Sequence, residues 1–270
     1  MKFRLNTPTS QRVWQKLSTA TALDPRPRSL DFWGSGLPFC PRAFWLDRRT
    51  GPVAKLENAE GQCRMDQGTA IHAVVQRWLG KAGILFGDWV CPECSFLIKD
   101  HLGLPSEVCP DHKRELRYQE RRIDYQGLIL KPDGILKPKE RSILLEIKTT
   151  SSYSYQGTKE PREKHVYQAN AYACVLRELG FDLAGAWIWY VSVDNPLRDV
   201  KSFAFSPDEK KFKDCLKTMQ MIRDKVADDR PLVMLCPKDR LDPWCIYHQI
   251  CTNKKTLAEL SCSTKQREPR

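Results

Sequence analysis

The sequence predicts an α/β fold, a mixed sheet flanked by helices, and three observations carry the prediction. Glu163 to Leu179 has helical spacing and is followed by GAWIWYVSV, Gly185 to Val193, an apolar strand of the buried kind. Ser142 to Thr149 reads as a strand ahead of that helix, and strand, helix, strand in this order implies a crossover. Asp66 to Leu79 sets Ala70, Ile71, Val74, Val75, Trp78 and Leu79 on one apolar stripe, the face a helix turns to a core. A chain of 270 residues buries a core by collapse alone, and 41% hydrophobic with 29% charged residues excludes a fibrous or wholly disordered chain.

In chain order, residues 1–30 are polar and punctuated by proline, an N-terminal arm with one short helix expected around Ser10 to Leu17. Residues 31–270 read as the main domain. The helix over Asp66 to Leu79 ends shortly before Gly83. From Cys91 to His112 periodicity fails and Cys, Pro, Asp and His take over, so residues 91–112 read as a small inserted module outside the core. Arg122 to Leu130, Gly134 to Leu136 and Ser142 to Thr149 read as strands, the last two joined by the charged turn KPKER. Gly180 stops the helix begun at Glu163. Ser206-Pro207-Asp208-Glu209 places Ser at N-cap, Pro at N1 and Glu at N3, opening a helix to about Ala227. Beyond Asp228 loop chemistry returns, with a cysteine-rich segment over 231–262.

Lys and Arg total 44 against 33 Asp and Glu, a net charge of +11 that suits a polyanion such as nucleic acid, although basic balance also serves solubility. No apolar stretch approaches a bilayer span, and MKFRLNTPTS has no apolar h-region, so neither membrane anchor nor export signal is expected and a cytoplasmic location is. With eleven cysteines, an odd count, metal explains them better than disulfides. Cys91-Pro-Glu-Cys94 and Cys109-Pro-Asp-His112, fourteen residues apart, have the spacing of two knuckles gripping one tetrahedral Zn²⁺. Four ligands leave no water position, so the ion would be structural; the alternative is four unrelated residues.

The stretch KPDGILKPKERSILLEIKTT concentrates the remaining chemistry. Period two throws Glu146 and Lys148 onto one strand face while Leu145 and Ile147 face the core, and Asp133 precedes the neighbouring strand. Phosphodiester hydrolysis needs such a set: Asp133 and Glu146 to hold Mg²⁺ or Mn²⁺, the Ile147 carbonyl as a further ligand, and Lys148 to orient water and stabilise charge on the phosphate. A solvated hairpin with an incidental ion pair would look the same. Gln168 and Tyr172, four apart on a helix, share a face that can bond DNA phosphate or Lys148. His72, in GTAIH, can add a nitrogen ligand or serve only in packing.

Taken in order, His72, Pro132-Asp133, Glu146-Ile147-Lys148, Gln168 and Tyr172 resemble the motifs of the PD-(D/E)XK nuclease superfamily in its RecB-like branch. By pattern the chain is similar to the CRISPR-associated RecB-like exonucleases and the nuclease domain of AddB. The resemblance spans about residues 40–251. It implies a restriction-endonuclease-like fold and metal-dependent cleavage of DNA, with exonuclease action on single strands or ends in replication, recombination or repair. It also implies a helicase or recombination partner and a 4Fe-4S cluster stapling a helical lobe, with Cys40, Cys236, Cys245 and Cys251 as ligands. Five residues separate Cys245 from Cys251, as in the family, but eight separate Cys236 from Cys245, a wider gap than its members show. Such a clip closes a long loop and restricts the unfolded chain; the same cysteines also fit buried thiols or a second zinc site.

No segment suggests a sequence-reading element, which favours an exonuclease over a site-specific endonuclease. The rival class is a non-catalytic DNA-binding zinc and iron–sulfur scaffold or recruitment protein, since motif residues need not meet in space.

Overall fold

The structure, a computed structural model, describes residues 31–38, 40–50, 59–138, 141–196, 198–227, 247 and 251. The expected helix at Ser10 to Leu17 lies outside them, as does all of 231–262 except Tyr247 and Cys251. The described residues form two compact units, 31–38 with 59–216, and 40–50 with 217–227, 247 and 251.

The first unit is built on a seven-stranded mixed sheet. Its strands are β2 (Leu85–Val90), β3 (Leu97–Leu102), β4 (Arg117–Gln119), β7 (Gly134–Leu136), β8 (Ser142–Thr150), β9 (Leu183–Ser192) and β10 (Val200–Phe205). The order is β10-β9-β8-β7-β2-β3, with β4 also paired to β2. A smaller sheet joins β1 (Phe32–Trp33), β6 (Leu128–Leu130) and β5 (Ile123–Tyr125). The parallel β8–β9 pair is connected through α3 (Ser152–Gly157) and α4 (Glu163–Glu178), the crossover expected from the sequence. A long helix, α2 (Ala59–Lys81), contributes Val75 and Leu79 to a core cluster with Leu85, Trp89, Leu136, Leu145, Ile147 and Val191. On the opposite face of β8, α4 buries Ala169, Tyr172, Ala173 and Leu176. Helices therefore cover both faces, and β8, with Leu144, Leu145 and Ile147 fully buried, is the central strand.

Close packing of α2 on β2 depends on a missing side chain. A Cβ on Gly80 would lie 2.2 Å from the Trp89 ring, so only glycine lets the helix approach there.

Four expectations are corrected. Arg122 to Leu130 is not one strand but a hairpin of β5 and β6, because Gln126 (φ 53°) and Gly127 (φ 75°) turn the chain through the left-handed region and the Asp124 carboxylate accepts the Gly127 N–H at 2.9 Å. Residues 91–112 do not lie outside the core: β3 pairs with β2, and Cys91 and Cys109 belong to the core cluster. Four of the six β3 residues are exposed, so no apolar pattern announced that strand. The long helix covers Ala59–Lys81 rather than starting at Asp66, and residues 63–67 are exposed, so they carry no apolar stripe. The helix opened near Ser206 starts at Glu209, where Asp208 rather than Ser206 is the cap, its Oδ1 accepting the Lys211 N–H at 3.0 Å.

In the second unit, α1 (Pro41–Thr50) buries Leu46 beside Tyr247, whose hydroxyl donates to Asp47 at 2.7 Å. No helix among the described residues is long and apolar enough to cross a membrane.

Candidate functional site

Strand β8 sets out the site by alternation. Glu146 and Lys148 share a face, and Lys148 Nζ donates to Glu146 Oε1 at 2.6 Å and to Gln168 Oε1 at 2.8 Å. Gln168 Nε2 in turn donates to the Tyr172 hydroxyl at 3.0 Å, one turn along α4. This line of bonds holds the lysine at the sheet surface with a fifth of its side chain still exposed. Tyr172 is fixed from behind: a Cβ on Gly34 would lie 2.3 Å from its ring. In the β8–β9 register Tyr190 lies beside Lys148, and its hydroxyl bonds the Arg162 N–H at 2.9 Å and His165 Nδ1 at 2.6 Å. Burial, joined by the charges of Lys148, Lys164 and Arg162, holds His165 down to about 3.

Asp133 enters from the residue before β7. Pairing of β7 with β8 ends at Gly134 opposite Leu145, so the next N–H on that edge of β8, from Ile147, finds no strand. It donates instead to Asp133 Oδ2 at 2.6 Å. In an extended strand the N–H and C=O of one residue lie on the same edge, so the Ile147 carbonyl is directed toward the same gap. Asp133 Oδ1 meets His72 Nδ1 of α2 at 3.1 Å, and the Asp133 carbonyl accepts from Gln76 Nε2 at 2.8 Å. The sequence-predicted His72, Asp133, Glu146, Ile147, Lys148, Gln168 and Tyr172 thus share one neighbourhood.

The electrostatics of this neighbourhood call for a cation. Burial opposes protonation of His72, but the Asp133 carboxylate outweighs it and holds the imidazole above its ordinary value. Burial, with Asp133 adding to it, pushes the Glu146 carboxyl up to about 8 despite Lys148. Glu146 is 2% exposed, and its Oε2 is buried without a hydrogen-bond partner. A buried carboxylate oxygen facing a second carboxylate is costly unless positive charge joins them, so this donor set fits a hard divalent ion.

Sequence reasoning missed one member. Ligand atoms of His72, Glu120 and Asp133 all lie within 4.8 Å of one another; Glu146 is outside that group, its Oε1 bonded to Lys148, but it feels the charges of Asp133 and Glu120. Glu120 follows β4 in the charged run RELRYQERR, where a single glutamate carries no signal.

At the far end of β2 a second group converges. Cys91, Cys94, Cys109 and His112 bring their ligand atoms within 4.8 Å of one another. Cys94 Sγ lies 3.6 Å from Cys109 Sγ, and His112 Nδ1 lies 3.5 Å from Cys109 Sγ and 3.8 Å from Cys91 Sγ. Four ligands about 2.3 Å from a tetrahedral ion stand about 3.8 Å apart, so the set fits one zinc-sized ion. The Glu93 and Phe96 N–H groups point at Cys91 Sγ and Cys94 Sγ at 3.4 and 3.5 Å, geometry that stabilises thiolates.

Of the four cysteines assigned to a cluster, Cys236 and Cys245 lie outside the described residues. Burial pushes the Cys251 thiol up, with Arg42 opposing and Cys40 adding, and both described cysteines belong to the second unit.

No family model matches the chain, and no curated protein matches it. Among solved structures it is similar to an alkaline exonuclease from Laribacter hongkongensis, with 12% identity over 80% of this chain and 93% of that one and a TM-score of 0.44. The complex of that exonuclease with dAMP gives 14% identity, the same coverage and a TM-score of 0.45. The protein SSO0001 gives 15% identity over 93% of this chain and 99% of that one, with a TM-score of 0.41.

Proposed function

We propose that the chain is a metal-dependent DNA nuclease with a restriction-endonuclease-like core, hydrolysing phosphodiesters with Mg²⁺ or Mn²⁺. The observation that carries the reading is the buried, unpartnered Oε2 of Glu146, under the charge of Asp133 and with Lys148 bonded to its other oxygen. His72, Asp133, Glu146 and the Ile147 carbonyl would hold the ion, which supplies a Lewis acid for the phosphate and lowers the pKa of water. Lys148 orients the attacking water and stabilises charge growing on the phosphate oxygens. Gln168 and Tyr172 keep the ammonium group aimed, and Asp133, anchored by the Ile147 N–H, fixes its distance from β8.

The motif resemblance extends the proposal to exonuclease action on single-stranded DNA or DNA ends, in company with a helicase or recombination partner. It also supports a 4Fe-4S cluster on Cys40, Cys236, Cys245 and Cys251, while Cys91, Cys94, Cys109 and His112 would hold structural Zn²⁺. Metal analysis of protein purified without oxygen tests both: zinc with iron and sulfide is expected, and zinc alone removes the cluster.

The deciding experiment is degradation of labelled single-stranded DNA with Mn²⁺ and with a chelator, in wild-type, Asp133→Ala and Lys148→Ala proteins. Metal-dependent loss of substrate in the wild type alone is expected. Binding without cleavage would favour the scaffold reading, and full activity in both variants would remove these residues from the site.

A further inference from the structure

We infer that Glu120 is a third acidic group of the divalent-cation site and that the Cys91, Cys94, Cys109 and His112 centre fixes its position. The inference rests on the reading of a cation site at Asp133 and Glu146, and it links two groups that are distant in sequence.

Strands β4 and β7 lie end to end along one edge of β2. β7 pairs Leu136 and Ile135 with Leu85 and Phe86, and β4 pairs Gln119, Tyr118 and Arg117 with Asp88, Trp89 and Val90. The junction between them falls at Gly87, and there Glu120 leaves β4 while Asp133 enters β7. Gln76 of α2 bridges the two residues, its Nε2 donating to Glu120 Oε1 at 2.9 Å and to the Asp133 carbonyl at 2.8 Å. Lys131 Nζ reaches Glu120 Oε2 at 2.7 Å. Glu120 also keeps lone pairs free for a cation, since each carboxylate oxygen offers two acceptor sites. Glu146 Oε2, buried without a hydrogen-bond partner and within reach of the charges of both Asp133 and Glu120, is an independent sign of a cation here.

Three residue pairs are a short ladder for holding a ligand in place. The other end of that ladder is where the cysteine centre lies. Cys91 follows Val90, and Cys109 to His112 lead into β4 through a turn closed by Cys109 N–H to Arg114 O at 3.0 Å. One ion held by these four ligands joins the ends of β2 and β4 at the Val90–Arg117 pair. From there β4 is a rigid strand of about 10 Å, by about 3.4 Å per residue, with Glu120 at its tip. Trp89 edge-to-face on Tyr118 at 5.6 Å stiffens the lever midway.

Two measurements on the full chain test this. In the first, Mn²⁺ is titrated calorimetrically without DNA into wild-type and Glu120→Gln proteins of equal zinc content. A loss of affinity of at least threefold and on the order of tenfold is expected, the size typical of a ligand or its immediate support. A change under threefold overturns the assignment of Glu120. In the second, zinc affinity is measured by equilibrium competition with a chromophoric zinc chelator, with and without saturating Mg²⁺. Because coupling between sites is reciprocal, Mg²⁺ is expected to raise zinc affinity at least threefold in the wild type and not in Glu120→Gln. Equal affinities in the wild type, or a protein purified without zinc, overturn the clamp. Neither readout uses cleavage. A wild type that binds Mn²⁺ but leaves DNA intact removes the nuclease reading and not this one, and failure to bind Mn²⁺ at all removes both.

Discussion

Replacing Glu146 by Gln should make the metal-free protein more stable while ending its activity, and the size of the gain follows from the site. Glu146 is fully enclosed, and burial with Asp133 moves its pKa from an ordinary 4.5 to about 8. A carboxyl whose folded-state pKa exceeds its unfolded value contributes stability below the unfolded pKa and loses it as pH rises through the folded one. The deficit thus grows between about pH 4.5 and 8 and reaches on the order of 4 kcal/mol above that window. Glutamine keeps the shape and removes the charge, but the charged partner of Lys148 at 2.6 Å becomes a neutral amide oxygen, an offset of about 2 kcal/mol. The net gain of about 2 kcal/mol should raise Tm by roughly 4–8 °C at pH 8 in EDTA. The gain should shrink toward zero or reverse near pH 5. Differential scanning calorimetry across that range, with a parallel cleavage assay, reads both effects. A variant that is less stable at pH 8, or a Tm difference that does not vary with pH, would refute the claim that this carboxylate is held under electrostatic strain awaiting a cation.

Lys148→Met should lower cleavage by about a thousandfold, the scale of losing one transition-state donor, while anisotropy shows DNA binding retained. Gln168→Ala should cost about tenfold in cleavage with Tm nearly unchanged, because it releases Lys148 from 2.8 Å support without touching the ion's ligands; equal loss of Tm and activity would make Gln168 a packing residue. Gly80→Ala should destabilise by about 1–3 kcal/mol, since its Cβ would fall 2.2 Å from the Trp89 ring, and a thermal melt no lower than wild type would contradict that packing. Cys109→Ser should abolish zinc retention and lower Tm by several degrees, because Cys109 belongs both to the proposed ligand set and to the core cluster.

Much of the scaffold was legible in order. Period two in SILLEIKT separated Glu146 and Lys148 from the buried Leu145 and Ile147, and the helical stripe near Val75 and Leu79 found its sheet. The Cys-x2-Cys and Cys-x2-His spacings pointed to the convergence of Cys91, Cys94, Cys109 and His112, because short turns fix side-chain geometry locally. These features rest on neighbours a few residues apart, and a linear pattern records them.

Pairing between distant segments was decided only by the tertiary structure. The polar strand β3 carries no alternation, and its place beside β2 comes from the ladder rather than from its own residues. Glu120 looked like one more charge in RELRYQERR until β4 and β7 abutted along β2 and carried it to Asp133. Sequence determines which side chains share a face within one element, since backbone geometry repeats every two or 3.6 residues. Which faces meet depends on register and burial across the whole sheet, and no local period encodes that.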